Sequence, residues 1–140
     1  MSSFDEITIN DEAMALIPEG IYEVIYTDHT KYKYYSQDKL QINFVVVSPT
    51  EYSDTVLTRI YNYYDRAKRN SDYIKECQIV LGRRLNKKEK VSPSIFKNKV
   101  LKVKVRTVKN GRKQEKLPSF LQYSIIDSIV DVVTGVKTND

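Results

Sequence analysis

A mainly β domain, built as a small barrel of five strands with one helix between the third and fourth, is predicted by three features of this 140-residue sequence. Several short segments alternate apolar and polar residues with period two, which puts successive side chains on opposite faces of a strand. Clusters of Pro, Gly, Asn, Asp and Ser separate those segments as turns. One segment after residue 70 carries its apolar residues at helical spacing instead.

Taken in order, residues 1–19 form an acidic lead-in with at most a short helix at 11–16, ended by Pro18 and Gly20. GIYEVIYTDH is the first strand, with Tyr22, Val24 and Tyr26 on one face and Ile21 and Ile25 on the other. Lys31 to Tyr35 continue it as a loop or a strand extension. KLQINFVVV is the second strand, with Leu40, Ile42, Phe44 and Val46 inward and Lys39, Gln41 and Asn43 outward. SPTEYSD is a turn. DTVLTRIYNYY is the third strand. It splits Val56, Thr58 and Ile60 from Leu57, Arg59, Tyr61 and Tyr63, and the second set is expected on the polar face.

The helix then runs through Tyr73, Ile74, Cys77, Val80 and Leu81, with Asn70 as its cap, Asp72 in the first turn and Gly82 just past its end. Ser92-Pro93 starts a short helix over 93–97. VLKVKVRTV is the fourth strand, with Leu101, Val103, Val105 and Thr107 on one parity and Lys102, Lys104 and Arg106 on the other. Asn110-Gly111 signals a hairpin. The last strand is expected at 121–126, residues 128–134 close the domain as a short helix or strand, and 135–140 fray. Three strands, a helix and two strands are the order of an OB-fold barrel, and an open α+β sheet shares it. The expected organisation is a lead-in over 1–19, an OB-like domain over 20–134 and a tail over 135–140.

Composition narrows the function. Hydrophobic residues make up 41% of the chain and charged residues 29%, which suits a globular domain. No apolar run reaches the roughly 20 residues of a membrane span, so no membrane partner is expected. The acidic N-terminus does not read as a secretory signal, and a cytoplasmic setting fits the single cysteine. Residues 1–19 carry a charge of −5. The remainder sets 23 Lys and Arg against 13 Asp and Glu, and within 83–116 fourteen cations face only Glu89 and Glu115. A field of that sign suits a polyanion.

Enzyme chemistry is thin. One histidine, His29, cannot make a metal pair, the four glycines are scattered, and Cys77 lies on the apolar stripe of the helix. No cofactor, metal ligand or catalytic residue is expected. Binding chemistry is richer. Nine of the eleven tyrosines lie between residues 22 and 64. A flat ring stacks on any unpaired base, and neighbouring cations hold phosphates, so the combination suits single strands better than a duplex. The candidates are Lys31, Tyr32, Lys33, Tyr34, Tyr35, Lys39, Arg59, Tyr61 and Tyr63 on the first three strands. Lys102, Lys104, Arg106, Lys109, Arg112 and Lys113 join them from the fourth strand and its loop. In an OB barrel the second and third strands and the loops after strands one and four form the ligand face.

The stretches EGIYEV, KLQINFVVV, YSDTVLTRIYN and KNKVLKVKVRTVKNGRKQ resemble single-stranded-DNA-binding proteins of phages and mobile elements with an OB-like fold, over roughly residues 18–127. Ser53-Asp54 replaces the glycine usual in that family between strands two and three. VVTGVKTND lacks the acidic, apolar tip of bacterial replication proteins. The resemblance implies an accessory protein of replication, recombination or transfer. Single-stranded DNA is the expected partner, RNA a second candidate ligand, and a replication or recombination protein a further partner. The rival readings are a module that docks on a replication or transfer complex and, more weakly, a small nuclease.

Overall fold

The computed structural model describes residues 14–64 and 67–133. Half of the helix expected at 11–16 and the whole of the tail at 135–140 lie outside them, and residues 14–16 are not helical. Five strands form one open antiparallel sheet: β1 (Gly20–Tyr34), β2 (Gln37–Ser48), β3 (Val56–Asn62), β4 (Val100–Val108) and β5 (Tyr123–Val132), in the order β3-β2-β1-β4-β5. One helix, α1 (Asp72–Leu81), lies between β3 and β4. At ten residues it is the longest helix, and among the described residues no helix is long and apolar enough to cross a membrane.

β2 shows how the sequence makes its strand. Leu40, Ile42, Phe44 and Val46 are buried, and the residues between them face outward. β1 is shared along its length. Its first six residues pair with β4, Gly20 opposite Val105 and Ile25 opposite Val100, while Glu23 to Tyr34 pair with β2. Beyond the β4 contact, β1 and β2 extend as an arm whose turn is Tyr35-Ser36. An irregularity between Tyr26 and Asp28 shifts the alternation, so that His29 and Lys31 share the inner face with Ile42 and Leu40.

Helix α1 is capped by Ser71, whose hydroxyl accepts from the Ile74 amide, and not by Asn70 as the sequence suggested. Gly82 ends it at φ 72, a left-handed position that suits glycine. The short helix after Ser92 is a 3-10 turn at Pro93–Phe96, with Phe96 fully buried against Phe44. The Asn110-Gly111 pair does not make a two-residue hairpin between β4 and β5. The 109–117 segment folds back on itself through an Asn110–Lys116 bridge and a turn closed by Gln114 N donating to Gly111 O. A 3-10 turn at Ser119–Leu121 follows Pro118, so β5 starts two residues late. It then absorbs residues up to 132 that the sequence left as a closing helix or strand.

The two outer members of the sheet, β3 and β5, touch each other. No backbone ladder joins them, so the sheet stays open where a closed barrel was expected, and α1 packs across both edges. The lead-in is tied to the same seam. Ser124 N on β5 donates to Ala15 O, Ser124 Oγ donates to Ile17 O, and Ile17 N donates to Ser124 Oγ.

Candidate nucleic-acid interface

Residues opposite one another in an antiparallel ladder share a face. Leu57, Arg59 and Tyr61 on β3 lie opposite Phe44, Ile42 and Leu40, which are core. The alternation read from the sequence is therefore right and its direction is reversed. Arg59 and Tyr61 point inward and are 9% and 2% exposed. Neither stands on the surface where a base or phosphate could reach it.

The reason is Glu76 on α1, which sequence reasoning passed over. Its carboxylate accepts from Arg59 Nε at 3.0 Å, Arg59 Nη2 at 2.6 Å, the Tyr61 hydroxyl at 2.6 Å and the Ile129 amide at 3.1 Å. One buried anion from the helix thus ties β3 to β5. Burial would lower the Arg59 pKa, yet the hydrogen bonds and charge of Glu76 leave it raised. Burial first, and then the Glu76 charge, push the Tyr61 hydroxyl well above its ordinary value. The available signal was the helical spacing, because Glu76 falls on the stripe of Tyr73, Cys77 and Val80. Cys77 is buried next to it on the helix, and burial pushes its thiol up to about 12. Beside the Glu76 network a cavity of about 180 Å³ opens between β3 and β5, lined by residues 58–60, Arg106 and residues 125–127.

The cationic row of β4 faces outward as expected, and carboxylates of the neighbouring strands lie beside part of it. Arg106 pairs with Asp127 at 2.9 Å. Lys102 lies between Glu23 of β1 and Asp131 of β5. Lys104 sits between Ile21 and Ser128, and among the described residues no carboxylate pairs with it. On the same face Val100, Ile25, Val45 and Val56 stand opposite one another across four strands, an aliphatic row that is partly exposed. This side of the sheet is closer to neutral and apolar than to cationic.

The remaining candidates gather on the β1–β2 arm and the loop after β4. Lys31 Nζ donates to the Tyr63 hydroxyl at 3.0 Å and lies 4.1 Å from that ring's centre. Lys33 pairs with Asp38 at 2.8 Å on the exposed surface, where such a pair is worth little. Lys39 donates to Asn62 Oδ1 at 2.6 Å, and half-buried Tyr32 lies opposite Lys39. At the tip, Tyr34 and Tyr35 are exposed, with ring centres 4.6 Å apart and nearly edge to face. Tyr35 and Ser36 take φ 51 and 65, left-handed positions that hairpins of this kind usually fill with Asn and Gly. A tyrosine held there at a cost of order 1 kcal/mol or more is strain spent at an exposed tip.

Arg112, from the loop after β4, reaches that tip. Its guanidinium lies 5.6 Å from the Tyr34 ring centre and 4.9 Å from that of Tyr35, and it donates to the Tyr35 hydroxyl. Lys113 follows it in the exposed turn, where its amide donates to Glu115. Lys109 sits exposed at the root of the same loop, its carbonyl accepting from Leu117 N. Two loops remote in sequence, 34–36 and 109–117, therefore converge into one cluster of rings and cations. No protein-family model matches the chain, and a search of curated proteins finds no match.

Proposed function

We propose that this protein binds single-stranded DNA with little sequence preference. It acts without catalysis, in the cytoplasm, as an accessory protein of replication, recombination or transfer for a phage or mobile element. The observation that carries the reading is the meeting of Tyr34, Tyr35 and Arg112 at the end of the arm. Exposed rings offer faces to unpaired bases, and the cations beside them bind the backbone and release counterions. Lys31, Lys33, Lys39, Arg112 and Lys113 form the phosphate path, and Tyr32 and Tyr63 flank it. Arg59 and Tyr61 belong instead to the interior. The strand order and the side-chain contact of β3 with β5 support an OB-type barrel closed through Glu76. The loops after its first and fourth strands would then form its ligand face.

Five phosphate contacts give a salt slope of about −3.5 for a single strand, so raising salt from 50 to 200 mM should cost roughly 100-fold in affinity. A labelled dT oligonucleotide tests this, alongside duplex and RNA of the same length. Replacing Tyr34 and Tyr35 by Ala should weaken binding by about 5- to 150-fold per stacked base. Salt-independent binding, or a double mutant that binds like the parent, would refute the proposal. A second reading, a module docking on a replication or transfer protein, is favoured by the Val100–Ile25–Val45–Val56 row. A mass shift with such a protein, and none with any oligonucleotide, would select it.

A further inference from the structure

Phe120 is 82% exposed, more than any other large apolar or aromatic side chain among the described residues. Single exposed apolar residues are ordinary on protein surfaces, and what sets this one apart is how it is held. Leu121 N donates to Pro118 O at 2.9 Å and Gln122 N to Ser119 O at 3.2 Å, which closes the backbone around the ring into a 3-10 turn. Gln122 Nε2 donates to Leu117 O at 2.9 Å, and Leu117 N donates to Lys109 O at 2.7 Å. On the far side Ser124 is buried and bonded to the lead-in. The ring is therefore carried outward by a turn fixed on both flanks, and not by a loose loop.

Its surroundings state what it can meet. The same loop holds Lys109, Arg112, Lys113 and Lys116 against Glu115. Its tip touches the Tyr34–Tyr35 pair, while Phe120 stands at its root. A polyanion with flat apolar faces fits a ring at one end, two rings at the other and cations between.

We infer that Phe120 is a second stacking platform for an unpaired base, at the far end of the path that begins at Tyr34 and Tyr35. The inference rests on the single-strand-binding reading and adds a contact to it. The chain contains no tryptophan, so Phe120→Trp places a lone fluorophore at this position. Titration with dT oligonucleotides should quench its emission, and duplex of the same length should not. Phe120→Ala should weaken dT binding by about 5- to 150-fold with an unchanged urea midpoint, while Phe120→Tyr keeps affinity. If the parent binds dT, yet Trp emission does not move and Phe120→Ala binds like the parent, the inference falls and the single-strand reading stands. If Phe120→Ala changes only the sedimentation mass, the ring is a self-association contact and the inference is overturned. If the parent binds no single strand at all, the reading and the inference fall together.

Discussion

Removing the Glu76 carboxylate should unbalance the seam between β3 and β5 more than any other single change in the interior. Glu76→Ala leaves the Arg59 guanidinium, 9% exposed, with only the exposed Asp72 carboxylate at 3.8 Å, and orphans the Tyr61 hydroxyl and the Ile129 amide. Breaking one side of a buried ion pair costs about 3–5 kcal/mol, a large share of the roughly 5–15 kcal/mol that holds a typical domain together. With a urea m-value of about 2 kcal/mol/M, the midpoint should fall by roughly 1.5–2.5 M. Arg59→Leu alone should cost a similar amount, because it strands the anion. The Arg59→Leu, Glu76→Ala double variant removes both charges and leaves only the Tyr61 and Ile129 groups unpaired. It should lose less than Glu76→Ala, well short of the sum of the single losses. Urea unfolding of the parent, both singles and the double reads all four corners of the cycle. A Glu76→Ala loss below about 1 kcal/mol, or a double loss equal to the sum of the singles, would refute the account of the seam.

Two further outcomes follow from local electrostatics. Hydrogen bonds from Arg83, then from the Asn86 amide, hold the Glu89 carboxyl down at about 2 against an ordinary 4.5. Because the folded value is the lower one, its contribution to the loop after α1 is present above pH 4.5 and disappears as pH falls towards 2. A carboxyl NMR titration should show that midpoint, and Arg83→Ala should move it back towards 4.5. A midpoint near 4.5 in the parent would remove the Arg83–Glu89 pair from the account. The Cys77 thiol, buried and pushed up to about 12, should resist a thiol reagent at pH 8 in the native protein and react at once in urea. Native reaction within seconds would contradict its placement.

Strands were legible wherever a single face decided their residues. Leu40, Ile42, Phe44 and Val46 gave β2 and its inward side, and Gly82 marked the end of α1. What period two cannot supply is which side is inside when both sets carry polar atoms. β3 offered Arg59 and Tyr61 against Thr58 and Ile60, and the deciding partner, Glu76, comes from a helix 17 residues beyond Arg59. The β4 row misled for a related reason. Its cations were read along one strand, while Asp127, which pairs with Arg106, and Glu23 and Asp131, which flank Lys102, come from neighbouring strands. The arm tip was legible as tyrosines among lysines. That Arg112 would meet Tyr34 and Tyr35 was not, because only the folded chain brings positions 77 residues apart together. The Asn110-Gly111 turn moved because residues 109–117 form their own small excursion before β5 begins.

The cross-strand balance of charge on β4 has an outcome for how such a chain can change over generations. Arg106 of β4 is already paired with Asp127, whereas the rings and cations of the excursions at 34–36 and 109–117 stand outside the interior. Those excursions can be lengthened, recharged or exchanged without disturbing the interior, since their side chains do not fill it. On the proposed reading, a shift in preference from one nucleic acid to another would need changes at about a dozen surface positions, on the order of one loop's length.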